Sequence, residues 1–238
     1  MTESLKNYFD SVAPKRDYWK NKNRYYYNYI EKFIKFLVPP KRTVLEIGSG
    51  TGDLLAKLEP SRGLGIDISP ETVEIAKQKY QNKNLEFKTV DICRQKLSEK
   101  HILGDAKFDF VVLSDVISYL DDVENTFINI ASLTTPKSRI IITQHSHLWQ
   151  PILELGSRLG LRMPLRNQNW LSVNDIENFL YLTGFEVIKR GPKLLLPKHF
   201  PILSEFLNRF LVNIFPFNKL AFVNYLVERP VPATNRGK

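Results

Sequence analysis

Val44-Leu45-Glu46-Ile47-Gly48-Ser49-Gly50-Thr51-Gly52-Asp53-Leu54-Leu55 decides how this chain is read. An apolar run enters three glycines at alternate positions and then a helical pattern beginning near Asp53. Glycine lets a backbone turn sharply and approach a ligand with no Cβ in between. The first turn of the helix that follows offers N–H groups without intrahelical partners. The dinucleotide pattern G-x-G-x-x-G asks for its third small residue at position 53, where Asp53 stands. The pattern present is E-x-G-x-G-x-G with Glu46 in front, which favours a nucleoside carrying an amino acid over a pyrophosphate.

Two carboxylates follow in order. Asp67 ends the apolar run Gly65-Ile66-Asp67, where a carboxylate can accept hydrogen bonds from both hydroxyls of a ribose. Asp91, in Val90-Asp91-Ile92, comes after the next run, within reach of an adenine amino group. A lone Asp after a strand is commonly a cap or turn residue. Two of them in sequence after a glycine turn favour the ligand reading.

The rest of the chain supplies the scaffold. β-branched runs at 43–47, 63–67, 85–90, 108–113 and 139–144 alternate with helical patterns, the order of a parallel sheet covered on both faces. Ser69-Pro70-Glu71 reads as a helix cap, as do Asp121 and Asp122, and Ser172 with Asp175 reads as a capping box stopped by Gly184. Two late strands are expected at 185–189 and 221–228. Between them, Leu203, Phe206, Leu207, Phe210, Leu211 and Ile214 recur at helical spacing. The expected fold is α/β: a doubly wound, mostly parallel seven-stranded sheet with a late antiparallel strand. It is read as one domain over 1–238, with an N-terminal helical cap (1–42), a ligand-binding core (43–145) and substrate-side elements with the last two strands (146–238).

Composition narrows the class. The 238 residues are 43% hydrophobic and 25% charged, enough for a globular core. The single cysteine, Cys93, excludes an internal disulfide and points to a reducing compartment. The first residues read as no secretory signal, and no stretch reads as a transmembrane helix, so the expected location is cytoplasmic. The net charge of +9 is segregated: residues 1–42 carry 10 Lys/Arg against 4 Asp/Glu, 43–145 carry 12 against 15, and 146–238 carry 12 against 6. Basic ends around an acidic middle favour an acidic partner, although a plain solvated surface explains the charge as well.

At this point a resemblance is plain. VLEIGSGTGDLL, GLGIDISPETVEIA, FKTVDI and FDFVVLSDVISYLDDV resemble, in order, the four core motifs of class I S-adenosylmethionine (SAM)-dependent methyltransferases. The resemblance implies that Glu46, Gly48, Ser49, Gly50 and Gly52 hold the methionine part of SAM. Asp67 with Ile68 would hold its ribose, and Asp91 with Ile92 its adenine; Ser114 and Asp115 would face the methionine and the substrate entrance. The segment Ser11-Val12-Ala13-Pro14-Lys15-Arg16-Asp17 is similar to the entry segment of quinone-biosynthesis methyltransferases, V-A-x-x-Y-D, with Arg16 in place of the tyrosine. An Arg there implies a pairing with the SAM carboxylate. HLWQPILELGSRLGLRMP, QNWLSVNDIENFLYLTGFEV, LLLPKHFPILSEFLNRF and NYLVERP resemble a bacterial group associated with cell-envelope glycosyltransferases.

Methyl transfer to an O–H or N–H of low acidity needs a base. His145 and His147, in Gln144-His145-Ser146-His147 at the end of the fifth strand, are the candidates, with Asp115 next. A strand continuing through both would put the two rings on one side. Either histidine serves equally as a strand cap or packing residue, and two histidines alone make no metal site. Tyr8, Tyr18, Trp19, Tyr25, Trp149 and Trp170 are candidates for an acceptor pocket, or for plain packing. The 194–217 stretch, with Lys193, Lys198, His199 and Arg209, reads as a helix covering the site or as one lying on an anionic membrane. The acceptor is then a small molecule or a lipid- or saccharide-linked one, such as an envelope glycolipid precursor, methylated at oxygen. No nucleic-acid partner is expected, because no RNA-binding module is present and Leu113-Ser114-Asp115-Val116 stands where amino-group methylases carry Asn/Asp-Pro-Pro-Tyr/Phe. An RNA methyltransferase and a non-catalytic SAM-fold scaffold remain as alternatives.

Overall fold

The computed structural model describes residues 2–81, 84–95, 97, 102, 103, 105–164 and 169–231. Gln168 of the C-terminal resemblance, and residues 1, 82, 83, 96, 98–101, 104, 165–168 and 232–238 of the expected domain, lie outside the described residues.

Seven strands form one sheet: β1 (Thr43–Ile47), β2 (Arg62–Asp67), β3 (Leu85–Thr89), β4 (Phe110–Ser114), β5 (Arg139–His145), β6 (Phe185–Pro192) and β7 (Val223–Pro230), in the order β3-β2-β1-β4-β5-β7-β6. β1 to β5 pair in parallel, and β7 runs antiparallel to both β5 and β6. The mostly parallel sheet with one late antiparallel strand is thus the observed architecture. Strand interiors such as Val111, Val112 and Leu113 are fully buried, as both-face coverage demands.

Three helices precede the sheet, α1 (Thr2–Val12), α2 (Arg16–Lys22) and α3 (Arg24–Leu37). α3 buries Tyr26, Ile30, Phe33 and Ile34, a stripe at helical spacing that packs on one face of the sheet with Val44, Val112 and Ile141. Between strands lie α4 (Asp53–Lys57), α5 (Pro70–Lys79) and α6 (Val123–Ser132), then α7 (Gln150–Arg158) and α8 (Val173–Leu182). The caps are those expected: Ser69 Oγ accepts from Thr72 N, Asp122 from Asn125 N, and Ser172 with Asp175 closes a capping box.

The segment before β7 departs from expectation. α9 (Leu203–Arg209) stops short of Ile214, and its apolar stripe faces outward: Leu203, Phe206, Phe210 and Ile214 are about half exposed, while Ser204 and Asn208 are buried. The reason is local hydrogen bonding. Asn208 Oδ1 accepts from Leu195 N and Leu196 N at 2.8 Å each, and its amide donates to Leu196 O and Tyr25 Oη. Ser204 Oγ accepts from Phe200 N and donates to Lys198 O. The irregular 195–200 backbone needs these partners, because buried main-chain groups must be paired. A helix whose apolar face covers the site is therefore not what forms.

One core residue is anomalous. Glu228 on β7 is wholly buried between Ile140 and Val187, and neither carboxyl oxygen has a hydrogen-bond partner among the described residues. Burial drives its pKa well above the usual carboxylate range, and Glu177 adds to the rise. In the unfolded chain the group ionises near pH ~4.3. Its contribution to stability is therefore full below that pH and is lost as pH rises toward the folded-state pKa. Glu228→Met is expected to raise Tm at pH 8 by about 4–8 °C, the worth of about 2 kcal/mol in a chain of this size, with a smaller gain at pH 5. Differential scanning calorimetry at the two pH values checks this, and an unchanged Tm at both would contradict the orphan-carboxyl account.

Candidate active site

The carboxyl ends of the parallel strands open on one cavity of about 530 Å³, the place where ligands sit in open α/β sheets. At its polar end is the turn between β1 and α4. Gly48 has φ +71° and Gly50 φ +55°, conformations that L side chains rarely adopt. A Cβ on Gly48 would lie 2.5 Å from Val116 Cγ2, and one on Gly50 would lie 2.7 Å from the Arg16 guanidinium. The turn is pinned to β2 by Gly48 N and Ser49 N, which both donate to Ile66 O.

Glu46 braces the turn from below. It is buried, its carboxylate accepts from Leu55 N at 3.0 Å, and burial pushes its pKa up to about 8 against the pull of Lys20. Asp67 braces it from the side: Oδ2 accepts from Gly50 N at 2.9 Å and Oδ1 from Ser69 N at 3.0 Å. Each oxygen keeps a further lone pair, and the residue lines the cavity. Asp91, Ile92, Ile68 and Ser114 line it too, with Asp91 Oδ1 accepting from Cys93 N at 3.0 Å. Ser49 Oγ is buried in the wall with no partner among the described residues. Gly50 and Gly52 are not in the wall, being covered by Arg16 and by Phe87.

The N-terminal helices close over this end through charge. Lys20 Nζ meets Asp53 Oδ2 at 2.8 Å, Lys79 Nζ meets Asp53 Oδ1 at 2.6 Å and Asp17 at 2.7 Å, and Thr51 donates to Asp17. Burial works to raise the Asp53 pKa, but Lys20 and Lys79 outweigh it and hold the carboxyl well below the usual range. Arg16, carried on the same α2, makes no ion pair among the described residues.

At the other end stand Asp115, Tyr26 and His145. Asp115 sits at φ +56°, and the Tyr26 hydroxyl donates to its Oδ2. His145 is half-buried, stacked on Tyr26 at 5.4 Å and 26° and edge-on to Phe222 at 4.8 Å. Its ring makes no hydrogen bond among the described residues. Burial lowers its pKa, more than Asp115 raises it, so the imidazole is neutral. His147 is exposed and outside the cavity. β5 ends at His145, and Ser146 turns the chain into a 3₁₀ helix (His147–Trp149), so the strand alternation that would have paired the two rings stops there.

Of the six aromatic candidates, Trp19 and Trp149 line the cavity. Tyr8 instead donates to Pro164 O, Tyr18 is exposed, Tyr25 packs on Tyr29 and His199, and Trp170 joins a core cluster. The walls not foreseen are Tyr26, Tyr27, Tyr119, Phe222 and Arg162. Tyr26 carried a readable signal, one turn before Ile30 on the buried stripe of α3. Arg162 carried none, because it lies in the irregular segment after α7. Burial raises the pKa of Tyr26, Tyr27 and Tyr119, keeping all three phenols neutral.

These residues fit SAM. A backbone cradle that a Cβ would fill, an unpartnered buried hydroxyl at Ser49 and a guanidinium with no counter-ion beside Gly50 suit an amino-acid group, and the acids after β2 and β3 suit a nucleoside. A family model described as a methyltransferase domain matches residues 18–190. The chain is 31% identical over 118 residues to the demethylmenaquinone methyltransferase of Chlorobaculum parvum, covering 45% of this chain and 46% of that protein. It thus spans under half the length of that curated relative. The fold is shared with magnesium protoporphyrin IX methyltransferase from Synechocystis PCC 6803, solved with bound SAH (TM-score 0.64, 18% identity, 96% and 99% of the two chains). It is shared also with the N-methyltransferase NodS from Bradyrhizobium japonicum (TM-score 0.57, 15% identity, 87% and 97%). With the family model covering most of its length, the chain belongs to the methyltransferase-domain family and is a SAM-dependent methyltransferase of the class I fold.

Proposed function

We propose that the protein methylates an oxygen on an apolar small-molecule, lipid-linked or saccharide-linked acceptor, with His145 as the base. The observation that carries this reading is a single cavity, polar and glycine-walled at one end and aromatic at the other, with a neutral, unpartnered imidazole in its wall. SAM supplies an activated methyl group when bound. Arg16 would hold its carboxylate, Gly48 and Ser49 its amino-acid part, Asp67 and Ile68 its ribose, and Asp91 and Ile92 its adenine, with Ser114 at the sulfur side. The chain's own work is then alignment, worth at most about 7–11 kcal/mol, exclusion of water by α1 to α3, and removal of the acceptor proton. Asp115 is the weaker base candidate, since Tyr26 already occupies its Oδ2. Demethylmenaquinone methyltransferase, by its name, also acts on an apolar molecule. Labelled SAM offered to fractionated lipids, sugars and RNA of the source cell is expected to label a lipid or sugar fraction; label in RNA alone would replace this reading with the nucleic-acid one.

The outward apolar stripe of α9 favours a second element, contact with an anionic membrane surface. Phe206, Phe210 and Ile214 are about half exposed, with Arg209 over the Phe210 ring and Lys219 over that of Phe215, the pairing of apolar anchors and cations that interfacial segments show. This agrees with an envelope lipid as acceptor source. Among the described residues no helix is long and apolar enough to cross a membrane.

Four outcomes test these assignments. His145→Ala is expected to lower turnover by about 10²-fold or more while SAM affinity by calorimetry stays within about twofold; equal losses in both would sink the base role. Because the working His145 is neutral, the acidic limb of kcat/KM is expected below pH ~6.5. Asp67→Ala is expected to weaken SAM binding by about 10-fold or more, the worth of a hydrogen bond to a charged group. Phe206→Asp with Phe210→Asp is expected to abolish sedimentation with phosphatidylglycerol vesicles at low salt and leave SAM affinity intact; absence of vesicle binding by the unaltered protein removes the membrane element.

A further inference from the structure

α7 ends in a Schellman turn. Gly160 has φ +64°, Gly160 N donates to Ser157 O, and Leu161 N donates back to Gly156 O at 2.8 Å. Lys22 Nζ and Asn23 Nδ2 hold the carbonyls of Gly160 and Leu161, tying the turn to the junction of α2 and α3. The next residue, Arg162, is thereby laid back over α7 and lines the cavity; a Cβ on Gly156 would lie 3.8 Å from its Cγ. Its Nη1 is shielded from solvent and has no hydrogen-bond partner, and its side chain makes no ion pair among the described residues. A shielded guanidinium without a partner is costly, and the cost is recovered when an anion arrives.

The position of Arg162 says which end of the cavity it serves. Its charge acts on Tyr26, Tyr27, Tyr119 and His145, the aromatic end, lowering the pKa of each against the larger effect of burial on the tyrosines and alongside it on His145. Arg16, held beside Gly50 and without an ion pair among the described residues, acts on Tyr27 and Tyr119 too, so it is Tyr26 and His145 that set Arg162 apart. Around Arg162 the rim is apolar: Ile152, Leu155 and Leu159 line the cavity while about half exposed. We propose that Arg162 is the acceptor's anion-binding residue, so that the acceptor joins an apolar body to a carboxylate or phosphate group. This rests on the methyl-transfer reading for the word acceptor, and on the cavity alone for the anion site.

The probes are octanoate, octyl phosphate and 1-octanol, alike in chain length and different in charge. Binding is read by quenching of tryptophan fluorescence, since Trp19 and Trp149 line the cavity, in the presence of S-adenosylhomocysteine. The unaltered protein is expected to bind at least one of the two anions about tenfold more tightly than octanol, within the range of a charge-assisted hydrogen bond; which anion wins identifies carboxylate or phosphate as the group. Arg162→Met is expected to reduce the anions to octanol's affinity and to leave octanol and S-adenosylhomocysteine within twofold. No preference for either anion, including no binding of any probe, overturns the proposal. So does a loss of S-adenosylhomocysteine affinity in Arg162→Met that matches the loss of the anions, which would make Arg162 a cofactor residue. Should Arg162→Met fail to fold by circular dichroism, the comparison in the unaltered protein and a reduced but surviving preference in Arg162→Lys decide. Anion preference without any S-adenosylhomocysteine binding would keep the anion site and refute the methyltransferase reading instead.

Discussion

In the turn after β1, a β-carbon on Gly48 would run into Val116 and one on Gly50 would meet the guanidinium of Arg16. The two contacts come from opposite sides. Val116 follows β4, so its approach sets how the floor of the cavity meets the turn. Arg16 arrives from the N-terminal helices, so its approach sets how closely the roof can come down. Both glycines also hold positive φ, which makes the backbone present its N–H groups instead of side chains. Asp67 then captures one of those groups, Gly50 N, and couples the turn to the end of β2. Roof, floor and the end of β2 are thus registered to one another through the backbone of the turn.

The roof is held by apolar burial and by charge together. α1 to α3 reach the core through apolar contacts of α3, but α2 is fastened by Lys20 to Asp53, while Lys79 bridges Asp53 and Asp17. Lys20 and Asp53 are each largely shielded, so this pair is screened by salt less than a surface pair would be. Pairing between residues 1–42 and 43–145 runs both ways: Lys20 to Asp53 and Lys35 to Glu59 in one direction, Lys79 to Asp17 and Lys57 to Glu31 in the other. Within residues 146–238, Arg190 pairs with Glu177 and Arg229 with Glu186.

Legibility in the sequence followed the range of the interactions. Strands β1, β2, β4 and β5 could be read because a strand buried on both faces needs continuous apolar residues, a local property. Caps at Ser69, Asp122 and Ser172 were readable for the same reason, as they bond within four residues. α9 was misjudged because its orientation is decided by Asn208 and Ser204 serving the backbone of residues 195–200. Periodicity records which residues share a face, not which face has unsatisfied carbonyls to cover. His147 was misplaced because one residue, Ser146, ended a strand, and strand ends carry weak signals. Arg162 could not be seen at all: its place depends on a turn, two side chains of another helix and a cavity assembled from distant segments.

The cavity's electrostatics follow from which groups the fold leaves ionised. Glu46 is raised to about 8 by burial and so is mostly protonated at neutral pH, and the phenols of Tyr26, Tyr27 and Tyr119 are raised further from ionisation. His145 is neutral. The same wall also carries Glu31, Asp67, Asp91, Asp115 and Asp121 with Lys20 and Lys198, and among the described residues Arg16 and Arg162 make no ion pair. Arg16 lies at the glycine turn, and Arg162 acts on the tyrosine end. On the proposed reading, Arg16 serves the cofactor and Arg162 the acceptor. Both guanidiniums act on Tyr27 and Tyr119, and Arg162 acts also on Tyr26 and His145. The reacting atoms would then meet at the aromatic end, beside His145 and the Tyr26–Asp115 pair.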